Sequence, residues 1–229
     1  MIEGLLLIDK PEGVSSFGVV AKVRGCIKAG LGIKKIKVGH TGTLDPAATG
    51  LLVLAIGSYT KRVPELIKQD KTYEVTMRLG QTSTTGDKEG EITSGTDVQP
   101  TKAEVEAVLA KFTGNLMQTP PQFSAIKVNG QRAYDLARKG KAVVIEPRAI
   151  KIYANTFVSY AYPEVKFISE VGSGTYIRSL VEDIGKELGT GAYMSDLRRT
   201  KIGDFDIANT IGIENLEFTS VTVNLITLP

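Results

Sequence analysis

The stretch Gly39-His-Thr-Gly-Thr-Leu-Asp-Pro-Ala-Ala-Thr-Gly50 gathers residue types that can do chemistry. It sets three glycines, one proline and the single histidine of the chain, His40, around one acid, Asp45. Glycines let a backbone approach a ligand closely, and Pro46 restricts the local conformation of the carboxylate. A lone carboxylate in such a loop can be a nucleophile, a general base or a metal ligand. It can also simply close an Asx turn, the commonest use of Asp in a loop. The loop lacks both the Lys-Ser/Thr ending of a P-loop and the spacing of the dinucleotide fingerprint, so it is not a phosphate cradle of either kind. Gly39-His-Thr-Gly42 matches the GXXG of a KH domain, but four residues are a weak signal.

Composition narrows the chemistry further. With one histidine, a Ser-His-Asp triad elsewhere in the chain is excluded, and with one cysteine, Cys26, so is an internal disulfide. The same two counts argue against a metal site built on several thiolates or imidazoles. The length of 229 residues suits one domain, or one with a small appendage, and 42% hydrophobic with 23% charged residues is ordinary for a globular fold. A chain this long buries roughly 70% of its unfolded surface and needs no staple. The apolar run Leu5–Ile8 is too short for a secretory signal, and Leu51–Ile56 reads as a buried strand, not a span. A soluble, cytoplasmic protein is therefore expected, with no membrane partner.

The net charge of +3 says little alone, but its distribution says more. Lysines 10, 22, 28, 34, 35, 37 and 61, with Arg24 and Arg62, outnumber the acids of the first quarter. A second basic stretch runs from Lys127 through Arg132, Arg138, Lys139, Lys141 and Arg148 to Lys151. No basic residue follows Lys201. Two basic zones suggest a polyanionic partner, against the plainer reading of solvated surface lysines.

These residues need elements to position them. Leu5–Asp9 reads as a strand, and Ser15 or Ser16 caps a helix reaching about Lys28. Leu51–Ile56 is a buried strand, and Tyr73–Leu79 alternates with period two, the mark of a half-buried one. Gln81–Glu91 is polar and reads as a long surface loop holding Asp87, whose expected role is to stabilise that loop. Thr101-Lys-Ala-Glu104 is a capping box for a helix to about Phe112, stopped by Gly114. Strands are expected near 124–128, 143–145, 150–158 and 164–171, a helix over Thr175–Leu188 closed by Gly189, and a strand near Arg199–Ile202. Strands outnumber helices without regular alternation, which predicts an α/β fold of the α+β type, with a mixed sheet and packed helices.

Several separate segments carry a resemblance to a known family. Gly39–Gly50 resembles the catalytic motif of the bacterial tRNA pseudouridine-55 synthases, the TruB type. Lys10-Pro-Glu-Gly-Val-Ser-Ser16 resembles the N-terminal motif of that family, and Lys71-Thr-Tyr-Glu-Val75 its tyrosine-bearing strand. Pro121–Lys127, with Tyr134 and Ala137-Arg138-Lys-Gly140, resembles the insertion that grips the RNA loop. Gly174-Thr-Tyr-Ile-Arg178 and Leu197-Arg-Arg199 resemble the closing motifs. The matches run in order along almost the whole chain.

The resemblance implies a pseudouridine synthase fold, its largely antiparallel sheet flanked by helices and loops. Residues 1–229 would form the catalytic domain with an insertion at about 120–150, and a C-terminal PUA domain would be absent or truncated. The implied reaction converts uridine to pseudouridine at position 55 in the T-arm loop of tRNA, after base flipping. Asp45 is the implied catalytic carboxylate, with Arg178 as its guanidinium partner and Tyr73 stacked on the uracil. Tyr176 and Leu197 are implied pocket walls, and His40 takes the space the flipped base vacates. Lys61, Arg62, Lys127, Arg132 and Arg138 are candidate phosphate contacts. Lys10 and Pro11 are expected to support the Asp45 loop and not to touch RNA. Plainer readings stand beside these: Tyr73 as a core residue, His40 as a hydrogen-bonded loop residue. The alternative function is a non-catalytic RNA-binding or tRNA-folding protein on the same scaffold. No obligatory protein partner is evident in the sequence.

The implied isomerisation changes no oxidation state and gains no atom, so no cofactor and no metal is expected. Turnover of an isolated T-arm stem-loop, which avoids metal-dependent tRNA folding, is expected to survive exhaustive EDTA treatment. Loss of activity restored specifically by a divalent ion would contradict the expectation.

Overall fold

The computed structural model describes residues 2–124, 126–128, 130–137, 144–214 and 216–228, with the backbone alone at 127, 128, 132 and 135. In chain order the first elements are β1 (Gly4–Lys10), α1 (Ser16–Leu31), β2 (Val38–His40), β3 (Thr49–Ile56) and α2 (Val63–Leu66). Next come β4 (Lys71–Leu79), β5 (Gln81–Ser83), β6 (Ile92–Ser94), α3 (Lys102–Lys111) and β7 (Gly114–Gln118). The hairpin β8 (Lys127–Val128) and β9 (Gln131–Arg132) leads into α4 (Ala133–Ala137). The long strands β10 (Arg148–Ala161) and β11 (Glu164–Val171) follow, then α5 (Ile177–Glu187) and β12 (Ala192–Ile202). A short β13 (Phe205–Asp206) and α6 (Phe218–Val223) close the chain. The chain divides into two compact units, residues 1–73 with 197–229, and residues 74–196.

In the first unit the strand order is β1-β3-β12-β4, with β2 also on β3. Strands β1 and β3 are antiparallel from Gly4 opposite Ile56 to Lys10 opposite Gly50. Both are buried on both faces, which is why the sequence shows a continuous apolar run there instead of an alternation. Leu6, Ile8, Leu52, Leu54 and Ile56 pack under Val19, Val20, Val23 and Ile27 of α1. Leu5, Leu7, Leu51, Val53 and Ala55 form the opposite face with Leu66 and Ile202. Full burial of each such side chain contributes about 1.5–3 kcal/mol. Helix α1 begins where expected, Ser15 accepting from the Gly18 N–H, and runs three residues past Lys28 to a left-handed cap at Gly32.

The second unit carries the order β12-β4-β11-β10-β7. Asn155 of β10 donates to the carbonyls of Leu109 and Phe112 and so ties α3 to the sheet. The capping box at Thr101 is present, with Glu104 answering the Thr101 N–H. Two expectations fail here. Gln81–Glu91 is no plain surface loop: β5 and β6 pair antiparallel, and Asp87 is buried. Its burial follows from a cation supplied by α5, which local composition cannot reveal. Strand β7 was not expected at all, because it is short and largely exposed, with only Leu116 half-buried and Gln118 buried. Of 143–145, residues 144 and 145 form no strand, and 143 lies outside the described residues. No helix among the described residues is long and apolar enough to cross a membrane.

Strand β3 meets β12 in parallel only at Thr49 opposite Arg198 and Gly50 opposite Arg199. At Gly50, φ is +102°, and an added Cβ would lie 2.3 Å from the Arg199 carbonyl oxygen and 2.8 Å from its nitrogen. Overlap with backbone cannot be relieved by a rotamer change. Gly50→Ala should therefore cost about 2–5 kcal/mol of stability, measured by urea denaturation. A variant within about 0.5 kcal/mol of the unaltered chain would show that this contact is loose.

Candidate active site

The loop from His40 to Ala48 belongs to the first unit, and its backbone is clamped at almost every residue. Thr41 N–H donates to Val53 O at 3.0 Å, extending the β2–β3 pairing into the loop. Ser16 Oγ bridges the Leu44 amide and carbonyl, both at 2.8 Å, and Leu44 itself is buried. On the other side of Asp45, the Pro46 carbonyl accepts from Gly13 N–H at 2.9 Å and from Lys10 Nζ at 3.2 Å. Lys10 Nζ also donates to Pro11 O and Val14 O, and the residue is fully buried. Lys10 thus ties the first turn of the chain to the loop, as expected of it. Ala48 N–H closes a turn on Asp45 O at 3.1 Å, with Pro46 pre-setting φ inside it. The outcome is a half-exposed Asp45 whose neighbours on both sides are fixed.

Arg199 completes the clamp from β12. Its guanidinium donates to Leu51 O at 2.8 Å, Gly42 O at 3.1 Å and Thr43 O at 3.4 Å, and the residue is 1% exposed. Sequence reading quoted Arg199 only as part of a motif. The available signal was its phase: along β12 it occupies a buried position together with Leu197. His40 is half-buried, its Nδ1 accepting from Gly42 N–H at 3.4 Å. Burial, with Arg199 adding to it, holds the imidazole below its ordinary value, so it is neutral at physiological pH. Tyr73 is 8% exposed on the buried phase of β4, a position that suits a core residue as well as a pocket wall. Leu197 is buried, its carbonyl accepting from Thr49 Oγ1.

The second unit holds Arg178 and Tyr176. Arg178 sits in the first turn of α5, where the helix dipole disfavours a cation, and is held there by an acid. Its guanidinium lies 3.4 Å from Asp87, donates to Thr85 O at 3.0 Å and to Phe123 O at 2.8 Å, and both members of the ion pair are buried. Asp87 in turn accepts from Thr85 Oγ1 and from Glu89 N–H. Asp87 therefore does stabilise its loop, as expected, and anchors Arg178 as well. Gln118 exchanges two hydrogen bonds with the Tyr176 backbone, at 2.8 and 3.0 Å, fixing the half-exposed tyrosine just ahead of α5.

Of the candidate phosphate contacts, Lys61 is exposed, and Arg62 lies over the Tyr59 ring and 3.9 Å from Glu65. Lys127 and Arg132 face one another in the β8–β9 register. Arg138 lies outside the described residues. Among the described residues no cluster of three or more His, Cys, Asp or Glu is placed to hold a metal ion.

A clamped, half-exposed carboxylate in a Gly-rich loop is placed to act on a ligand, and the comparisons with known proteins identify the family. Residues 28–177 match the model of the TruB family pseudouridylate synthase N-terminal domain, and residues 178–224 that of the tRNA pseudouridylate synthase B C-terminal domain. The chain belongs to the TruB family of pseudouridylate synthases. It is 44% identical over 227 residues to the tRNA pseudouridine synthase B of a Caulobacter species, covering 98% of the chain and 71% of that protein. Among solved structures it is similar to a chain of a Cbf5-Nop10-Gar1 complex, with a TM-score of 0.71 and 31% identity over 93% of this chain. A chain of an H/ACA RNP bound to a substrate RNA containing 2'-deoxyuridine matches with a TM-score of 0.67 and 29% identity. The chain spans about half the length of these two, 53% and 52%. The expected pseudouridine synthase fold is thereby found.

The buried pair generates a stability prediction. Asp87→Asn keeps the shape and can keep the turn hydrogen bonds, but leaves the Arg178 charge without its counter-ion. It should cost on the order of 3 kcal/mol in thermal or urea unfolding. No measurable change would mean that Arg178 is satisfied without the Asp87 charge, by its carbonyl partners and the nearby Glu182.

Proposed function

We propose that this chain converts uridine to pseudouridine at position 55 in the T-arm loop of tRNA. The observation that carries the reading is Asp45, a half-exposed carboxylate fixed on both sides by Ser16 and Lys10 in the loop that bears the family motif. The similar proteins named tRNA pseudouridine synthase B support tRNA as substrate, and the resemblance of His40 and the 121–140 segment supports the T arm. Residues 1–229 act as the catalytic part, the segment at about 120–150 gripping the RNA.

The reaction breaks the N1–C1′ bond of uridine, turns the detached uracil, and joins C5 to C1′. The proton leaving C5 balances the one arriving at N1, so no atom is gained and no redox partner is needed. A uridine in a folded loop must first leave its stack, which costs a few kcal/mol and is least costly in an already strained loop. Asp45 then acts at the sugar, by attack on C1′ or by removal of the C2′ proton. Arg178 is the guanidinium the resemblance assigns to Asp45, and its anchoring by Asp87 and two carbonyls suits a group that must not move during the reaction. Tyr73, Tyr176 and Leu197 enclose the base so that it recloses on the same sugar. His40, neutral and carrying its proton on Nε2, contacts the splayed nucleotides. Lys61, Arg62, Lys127, Arg132 and Arg138 bind the RNA backbone.

Asp45→Asn changes charge and basicity at nearly constant size. It should keep the fold and RNA binding within about threefold, and lose at least about a thousandfold in turnover, since a nucleophile or base is removed outright. Chemical mapping of pseudouridine on an unmodified tRNA transcript locates the product. Pseudouridine elsewhere than in the T loop would overturn the substrate, and substantial turnover by the Asn variant would remove Asp45 from the reaction. RNA binding without any product from the unaltered chain would favour a binding or folding role. Arg178→Lys should lower turnover more than affinity, because lysine loses the two-pronged geometry; an equal loss in binding would make Arg178 a phosphate contact.

A further inference from the structure

Two cations of the first unit lie against the loop that carries His40 and Asp45, and neither has an acid to answer it. Arg199 is 1% and Lys71 9% exposed. Arg199 spends its N–H groups on the carbonyls of Gly42, Thr43 and Leu51, and Lys71 Nζ donates to those of Ile67 and Gln69. A Cβ placed on Gly42 would be 3.6 Å from an Arg199 terminal nitrogen and 3.9 Å from Lys71 Cε, so both side chains reach the same point of the loop. Among the described residues neither cation forms an ion pair with a carboxylate. The acid acting on Lys71 is exposed Asp70, its neighbour in the chain.

Burying a charge without a counter-ion is costly, and a second like charge beside it raises the cost. The titration of the neighbours reflects this. Burial, with Arg199 adding to it and Asp70 opposing, pushes Lys71 down to about 8. Below that value the folded chain carries a charge it disfavours, so the lysine detracts from stability at neutral pH. A well-packed apolar side chain would serve the fold better. A charge kept against stability points to a use in the chemistry.

We propose that Lys71 and Arg199 are positioning residues for the isomerisation: Arg199 holds the 40–45 loop by the Gly42 and Thr43 carbonyls, Lys71 is fixed beside it by the Ile67 and Gln69 carbonyls, and together they set positive charge without an ion-paired acid against the loop. The proposal rests on the reading given above. When the N1–C1′ bond breaks, its electron pair goes with the uracil, and negative charge builds up on the ring while C1′ turns towards Asp45. A fixed positive field at the loop stabilises that charge without having to reorganise. Because the charge exists only along the reaction path, the benefit falls on the chemical step and not on RNA binding.

Lys71→Met tests this, since it keeps the length and the apolar stem and removes the charge. With the full chain and a T-arm stem-loop, the single-turnover rate at saturating RNA should fall about tenfold or more. The RNA dissociation constant should stay within about threefold. The melting temperature should hold or rise, and in a separate variant, Arg199→Gln, the His40 imidazole midpoint, followed by NMR, should move up as its positive neighbour is lost. Lys71→Arg should recover most of the rate. Arg199→Lys, which keeps charge but loses the three-carbonyl grip, should slow the reaction and leave the His40 midpoint nearly in place. A Lys71→Met protein that unfolds or melts well below the unaltered chain would make Lys71 a structural residue and overturn the proposal. An unchanged rate, a His40 midpoint unmoved by Arg199→Gln, or a binding loss as large as the rate loss would do the same. The melting and NMR arms need neither RNA nor turnover. They judge the buried cations even if the unaltered chain fails to convert uridine, a result that would count against the proposed function instead.

Discussion

Three backbone carbonyls, of Gly42, Thr43 and Leu51, converge on the guanidinium of Arg199 in a site closed to water. A carbonyl buried without a donor costs about 1–3 kcal/mol, and a guanidinium offers five N–H groups in one rigid plane. One side chain therefore satisfies a loop that has no room for regular pairing. Lysine does not copy this geometry: its three N–H groups radiate from one nitrogen, as they do from Lys10 to its three carbonyls, and do not spread along a planar fork. The missing side chain at Gly50 lets β12 come near enough for Arg199 to reach, and the apolar burial of β1 and β3 makes the floor rigid. These constraints fix the backbone on both sides of Asp45.

Two buried arginines are compensated in different ways. Arg178 meets a carboxylate, Asp87, as well as two carbonyls, so its charge is largely neutralised where it stands. Arg199 meets dipoles only, and its charge is left to act on what surrounds it. Burial lowers the titration of His40 and Lys71, and the Arg199 charge adds to it. The first arrangement favours a group held in register, the second a region of set potential.

How much of this could be read in the sequence depended on how local each cause is. The capping box at Thr101, the N-cap at Ser15, the apolar runs of β1 and β3 and the Asp45 loop are written in neighbouring residues, and they were legible. The support given by Lys10 was also legible, through its place in the family motif. Asp87 read as part of a polar loop because its counter-ion comes from a helix far along the chain. Strand β7 gave no signal, since a short edge strand with few inward residues has no period to detect. Lys71 and Arg199 look like two more surface cations until the phase of β4 and β12 is followed, which places each on a buried position. Charges at buried phase are the mark that a local reading passes over.

The pairing of Gly50 with Arg199 joins positions that are far apart along the chain, which emerges from the ribosome N-terminus first. While β12 remains unsynthesised, β1, α1 and β3 can already collapse around their apolar faces, but the Gly42, Thr43 and Leu51 carbonyls have no donor to gather them. A nascent chain thus displays Asp45 on a slack loop, and the loop is clamped only once β12 has followed it.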